Sequence, residues 1–111
     1  MDLYNEINSL CIELDHSIKC LHETGVNYAE AYKNYRVLLS KELLRLKTNG
    51  MPVTIAYDIA RGHKEVADAK FEELSTEAIY KANLENINAL KLRIKVLENQ
   101  YDKEWGNTKW L

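Results

Sequence analysis

Apolar positions recur at helical spacing along almost the whole chain. Ile7, Leu14 and Leu21 fall seven apart, Leu3 and Leu10 hold a second stripe, and Tyr4, Cys11 and Ile18 lie beside it. This heptad-like face predicts a helix over about 3–22. Gly25 is expected to stop it, because the left-handed backbone that closes many helices suits glycine. A second helix is predicted over about 27–48. Its apolar face is Tyr28, Tyr32, Tyr35, Leu39, Leu43 and Leu46, at steps of three and four. Asn49-Gly50 supplies its C-terminal cap.

The stretch NGMPVTIAYDIARGHKE, residues 49–65, breaks the pattern. It holds the only proline, two of the four glycines and a basic cluster. An irregular tip is expected over 49–63, with a short helix at about 55–61. Pro52 cannot continue the preceding helix. Thr54 is the expected N-cap, since its hydroxyl can accept a backbone N–H from the next turn. Gly62 is expected to break the short helix or let it bend onward.

The last helix is predicted over about 64–104. Tyr80, Ile87, Ile94 and Tyr101 recur every seven residues, with Asn83, Leu90 and Leu97 three positions later and Leu84 and Trp105 flanking. Such spacing favours left-handed coiled-coil packing. At about 1.5 Å per residue the helix is roughly 60 Å long, more than one short neighbour can cover. The expected fold is therefore all-α and a single domain: a helical hairpin or bundle with two shorter helices packed on one long amphipathic helix. A homo-oligomer is expected, with Tyr80, Leu84, Ile87, Leu90, Ile94, Leu97 and Tyr101 at its interface.

Composition agrees with a folded chain: 111 residues, 46 % apolar and 29 % charged. No apolar run approaches the roughly 18 residues that cross a bilayer. The opening MDLYNEINSL lacks the basic and apolar regions of a signal peptide, so a cytoplasmic location is expected. Cys11 and Cys20 are nine apart, which is no C-x-x-C pair, and are read as reduced helix residues.

Charge changes the picture. The net charge of −2 hides strong segregation: residues 1–32 carry −5, residues 33–64 carry +5 and residues 65–111 carry −2. The basic block holds Lys33, Arg36, Lys41, Arg45, Lys47, Arg61 and Lys64. Such asymmetry bears on partners more than the total does. Tyr28, Tyr32 and Tyr35, interleaved with Lys33 and Arg36, have the ingredients for stacking bases and holding phosphates, although the same spacing is that of a buried face. Arg61, His63 and Lys64 beside Gly62 form either a contact for phosphate or an acidic partner, or a simple basic turn.

Other chemistry finds little support. His16 and Cys20 share a helix face but make only two metal ligands. No nucleophile has a base and an orienting group in a recognisable motif, and no G-x-x-x-x-G-K or G-x-G-x-x-G loop is present. No catalytic residue, metal or cofactor is expected. Trp105 continues the last stripe and is expected to dock on the core, while the role of Trp110 stays open.

The run from Lys41 to Trp105 resembles small proteins encoded by phages and prophages of Gram-positive bacteria. It does so through Gly50, Pro52 and Val53 in a G-x-P-V turn, Asp58, Arg61 and Gly62 in D-x-x-R-G, the K-F-E run from Lys70 to Glu72, and the closing Glu104-Trp105. These look like products of the early region, which handles replication and recombination. A more distant similarity is to the T4-type phage recombination mediator family, UvsY, through Lys41, Glu42, Leu44 and Arg45, the R-G tip and the long amphipathic helix. That resemblance implies an oligomer that binds single-stranded DNA and helps load a recombinase. The expected function is thus a non-enzymatic phage accessory protein of DNA replication or recombination. It would work in the bacterial cytoplasm and contact single-stranded DNA or a recombination protein through Lys33, Arg36, Lys41, Arg45, Lys47, Arg61, His63 and Lys64. The competing expectation is a helical protein–protein interaction module, an adaptor or inhibitor of a host factor, that does not bind nucleic acid. A continuous outward basic stripe favours the first. Acidic residues interleaved among the cations favour the second.

Overall fold

The computed structural model describes residues 2–109, with side chains through Gly106. The fold is all-α, with no strand among the described residues. It consists of α1 (Leu3–Thr48), α2 (Val53–Gly62) and α3 (Lys64–Lys109). The long C-terminal helix packs on the other two, as the apolar periodicity requires.

The helix boundaries differ from expectation at several points. α1 runs unbroken through Gly25, so the two predicted helices are one. A glycine inside a helix costs only about 1 kcal/mol relative to alanine. Here it makes room, because a Cβ at this position would stand 3.3 Å from Cε1 of Tyr80. The cap predicted at Gly50 does form. With Gly50 at φ 86°, its N–H donates to the Lys47 carbonyl at 3.1 Å and the Met51 N–H donates to the Leu46 carbonyl at 2.9 Å. This pair of bonds is a Schellman motif, and Met51 packs on the cluster that contains Leu46.

α2 starts earlier than predicted, and Pro52 stands at its N-cap with no side-chain cap hydrogen bond. The Pro52 carbonyl accepts from the N–H groups of Ile55 and Ala56, so the hydroxyl of Thr54 is not needed there. Gly62 stays helical. The break falls on His63, whose extended backbone (φ −64°, ψ 135°) turns the chain into α3, and whose carbonyl accepts from Ala67 at 2.8 Å. The irregular tip is therefore only the 49–52 turn and this one residue.

The chain forms two compact units, Met1–Glu23 with Lys81–Leu111, and Thr24–Tyr80. In the first, Leu10 of α1 packs with Leu90 and Ile94 of α3, and half-buried Ile7, Leu14 and Leu97 close around them. Buried Ser17 ties the same helices by polar bonds. Its Oγ accepts from Nδ2 of Asn83 at 3.0 Å and of Asn86 at 3.1 Å. In the second unit, Tyr35, Leu39 and Leu46 of α1, Ala56 and Ala60 of α2, and Val66 and Ala69 of α3 form one core.

Candidate interaction surface

The Thr24–Tyr80 unit holds every member of the predicted basic set, and it does not present them as a stripe. At about 100° per residue, exposed Lys33, Arg36, Lys41 and Lys47 spread over roughly 140° of the α1 circumference. Arg45 is engaged: its Nε lies 3.1–3.2 Å from both carboxylate oxygens of Glu42, and its Nη2 lies 2.6 Å from Oε1. The hydrogen bond from Arg45 holds the Glu42 carboxyl below the usual carboxylate range, against the opposing effect of burial. His63 is drawn to the same carboxylate, with Nε2 at 4.0 Å from Glu42 Oε2. Lys64 pairs with Asp68 at 2.8 Å.

Lys70 joins the cations from outside the predicted set. Its Nζ lies 3.0 Å from Glu73 and 4.7 Å from the centroid of the Tyr35 ring. The hydrogen bond to Glu73 raises its pKa. Arg61 covers the ring of Tyr57 at 5.5 Å. Tyr35, Asp58, Arg61, Gly62, Ala67 and Lys70 line an open cavity of about 380 Å³. Acidic groups of α1 and α3 thus interleave with the basic block, and the six acids from Asp58 to Glu77 together with Glu30 and Glu42 largely offset it.

The three tyrosines divide. Tyr35 is buried, Tyr28 donates to Glu77 Oε2 at 2.7 Å and stacks on Tyr80 at 6.0 Å, and Tyr32 is exposed. Only the middle one remains accessible for stacking.

What the unit does present is apolar. α2 buries just its two alanines, Ala56 and Ala60, both fully. Their small side chains let the short helix lie close against the core. Its large side chains then point away: Val53, Ile55, Tyr57 and Ile59 are 67, 47, 47 and 44 % exposed. Ile55 and Ile59 are four apart and share a face. The pattern V-T-I-A-Y-D-I-A contains the signal, since large residues at every second position of a helix cannot all face one side. An alanine pair four apart marks the side that approaches the core.

The residues expected at an oligomer interface are placed otherwise. Ile87, Leu90 and Ile94 are buried against α1 of the same chain. Leu84 and Leu97 are half-buried, Tyr80 lies on Tyr28, and only Tyr101 is exposed. α1 is a single helix of 46 residues, and segments of it pack on α3 in each of the two units. Trp105 does not dock, being 63 % exposed. Trp110 lies outside the described residues.

His16 Nε2 and Cys20 Sγ stand 3.8 Å apart, and among the described residues no group of three or more His, Cys, Asp or Glu is placed to hold a metal. No described helix is long and apolar enough to cross a membrane. Among known proteins, no family model matches the chain, and no curated protein or solved structure matches it.

Proposed function

We propose that this protein is a non-enzymatic helical interaction module that binds a partner protein through the exposed face of α2. The observation that carries this reading is the inverted burial of α2, with alanines inside and Val53, Ile55, Tyr57 and Ile59 outside. Ile55 and Ile59 share one face of α2, and leaving such large apolar side chains in water is unfavourable by about 25 cal/mol per Å² of apolar surface, so exposed apolar surface of this kind on a folded protein marks an interaction site. A helix presenting anchors at i and i+4 suits a groove or a second amphipathic helix on the partner. The interleaved acids argue in the same direction, because they weaken the field that a nucleic-acid footprint needs.

The second reading is the phage accessory protein of replication or recombination, contacting single-stranded DNA. It is favoured by one feature, the cavity at which Arg61 and Lys70 meet beside the rings of Tyr57 and Tyr35. Both readings place the protein in the bacterial cytoplasm. Fluorescence anisotropy of a labelled single-stranded oligonucleotide at about 50 and 200 mM salt separates them. No binding at high micromolar protein is expected. Salt-sensitive binding abolished by Arg61→Glu would reverse the preference. In parallel, a photo-crosslinking residue at position 59 should give a discrete protein adduct in the host cell, absent when Ile55 is changed to Asp.

A further inference from the structure

In the Met1–Glu23 with Lys81–Leu111 unit, α3 is apolar on two opposite sides. Ile87, Leu90 and Ile94 face α1 and are buried. On the far side, at about 100° per residue, Glu85, Leu92, Val96 and Lys103 fall within roughly 40° of one another. Leu92 is 64 % and Val96 56 % exposed, and Glu85, Ala89 and Lys103 are exposed with them. Leu92 and Val96 also line a groove of about 260 Å³ with Glu6, Arg93 and Leu97. A helix with apolar residues on two opposite sides has surface for two neighbours, and α1 supplies only one.

We infer that the second neighbour is α3 of another copy of this chain, packed antiparallel across this stripe as a two-fold dimer. The order of residues selects both the occupant and its direction. The four positions are spaced seven, four and seven apart, which reads the same from either end about residue 94. An antiparallel copy centred there sets Leu92 against Val96 of the second copy, and Val96 against its Leu92. The charges are opposite at equal distances from the centre, so each Glu85 meets a Lys103. A parallel copy would set Glu85 on Glu85 and Lys103 on Lys103, which repel. This is the isologous arrangement of a two-fold interface, in which residue i contacts j and j contacts i. Ala89 has no bulk to hold the helices apart.

The interface is short, with two large apolar side chains from each copy, so the dimer forms at the weak end of specific association. It uses residues of α3 and none of α2, and is independent of the partner reading above. Sedimentation velocity of the full chain from micromolar to high micromolar concentration tests it. The wild type is expected to dimerise with concentration, and Leu92→Asp to stay monomeric with unchanged helical circular dichroism. Glu85→Lys and Lys103→Glu alone should each weaken dimerisation roughly tenfold, because symmetry applies each reversal twice. The double reversal should return to within about threefold of wild type. A wild type that stays monomeric overturns the proposal. So does a dimer indifferent to Leu92→Asp, a single Glu85 reversal that strengthens association, or a double reversal that restores nothing.

Discussion

Leu90 and Leu92 are the same residue two positions apart on one helix, and the structure gives them opposite energetic roles. Leu90 is 5 % exposed, in the cluster with Leu10 and Ile94, whereas Leu92 is 64 % exposed. Replacing leucine by alanine removes three carbons, worth about 2.4 kcal/mol of transfer free energy at roughly 0.8 kcal/mol each when burial is complete. At Leu90 nearly all of this applies, and the void left between Leu10, Ile94 and the half-buried Ile7, Leu14 and Leu97 adds a cavity cost. The expected destabilisation is about 3 kcal/mol, within the range of such core truncations. At Leu92 about a third of the transfer value applies, and alanine's better helix propensity returns some of it. The expected cost is below about 0.7 kcal/mol. The assay is urea denaturation followed by circular dichroism at 222 nm, at a protein concentration low enough to keep the chain monomeric. The packing assigned to the first unit is refuted if Leu90→Ala unfolds within about 0.5 kcal/mol of wild type, or if the two substitutions cost the same.

Glu42 carries the clearest pH dependence. Its carboxyl is held low in the folded chain by Arg45, so the stability it contributes is present above the unfolded carboxylate range and is lost as pH falls through the lower folded value. Thermal melts between pH 7 and pH 3 should show a steeper acid loss in wild type than in Glu42→Gln. Ser17→Ala leaves Nδ2 of Asn83 and of Asn86 without the hydroxyl acceptor, and should cost about 1–3 kcal/mol in the same denaturation assay. The glycines separate by backbone: Gly62→Ala, helical and with open space around its Cβ, should raise stability by about 0.5–1 kcal/mol, whereas Gly50→Ala, at φ 86°, should lower it by about 1 kcal/mol. Equal effects at the two glycines would contradict the assigned C-cap.

Much of the fold was legible along the chain because local physics decides it. Periodicity of 3–4 residues marked the helices, and Gly50 with Pro52 marked the end of α1, since a left-handed residue and a missing N–H act on their own turn. Leu39, Leu46, Leu10, Leu90 and Ile94 were identifiable as a buried face for the same reason. Tertiary contact decided the rest. Gly25 reads as a stop in isolation, yet the helix continues through it, and a Cβ there would stand only 3.3 Å from Cε1 of Tyr80, a close approach that glycine relieves. The heptads of α3 are as compatible with a second chain as with α1. Only the packed structure shows that α1 uses one side, so that Leu92 and Val96, indistinguishable in hydrophobicity from Leu90 and Ile94, are left outside. The basic block of residues 33–64 likewise ignores what folds onto it. The Lys64–Asp68 and Lys70–Glu73 pairs are local to α3, but the approach of His63 to Glu42 and of Lys70 to the ring of Tyr35 joins residues far apart in the sequence. The sequence by itself determined where helices form. Which faces they share, and which remain for a partner, depended on contacts between residues far apart in the chain.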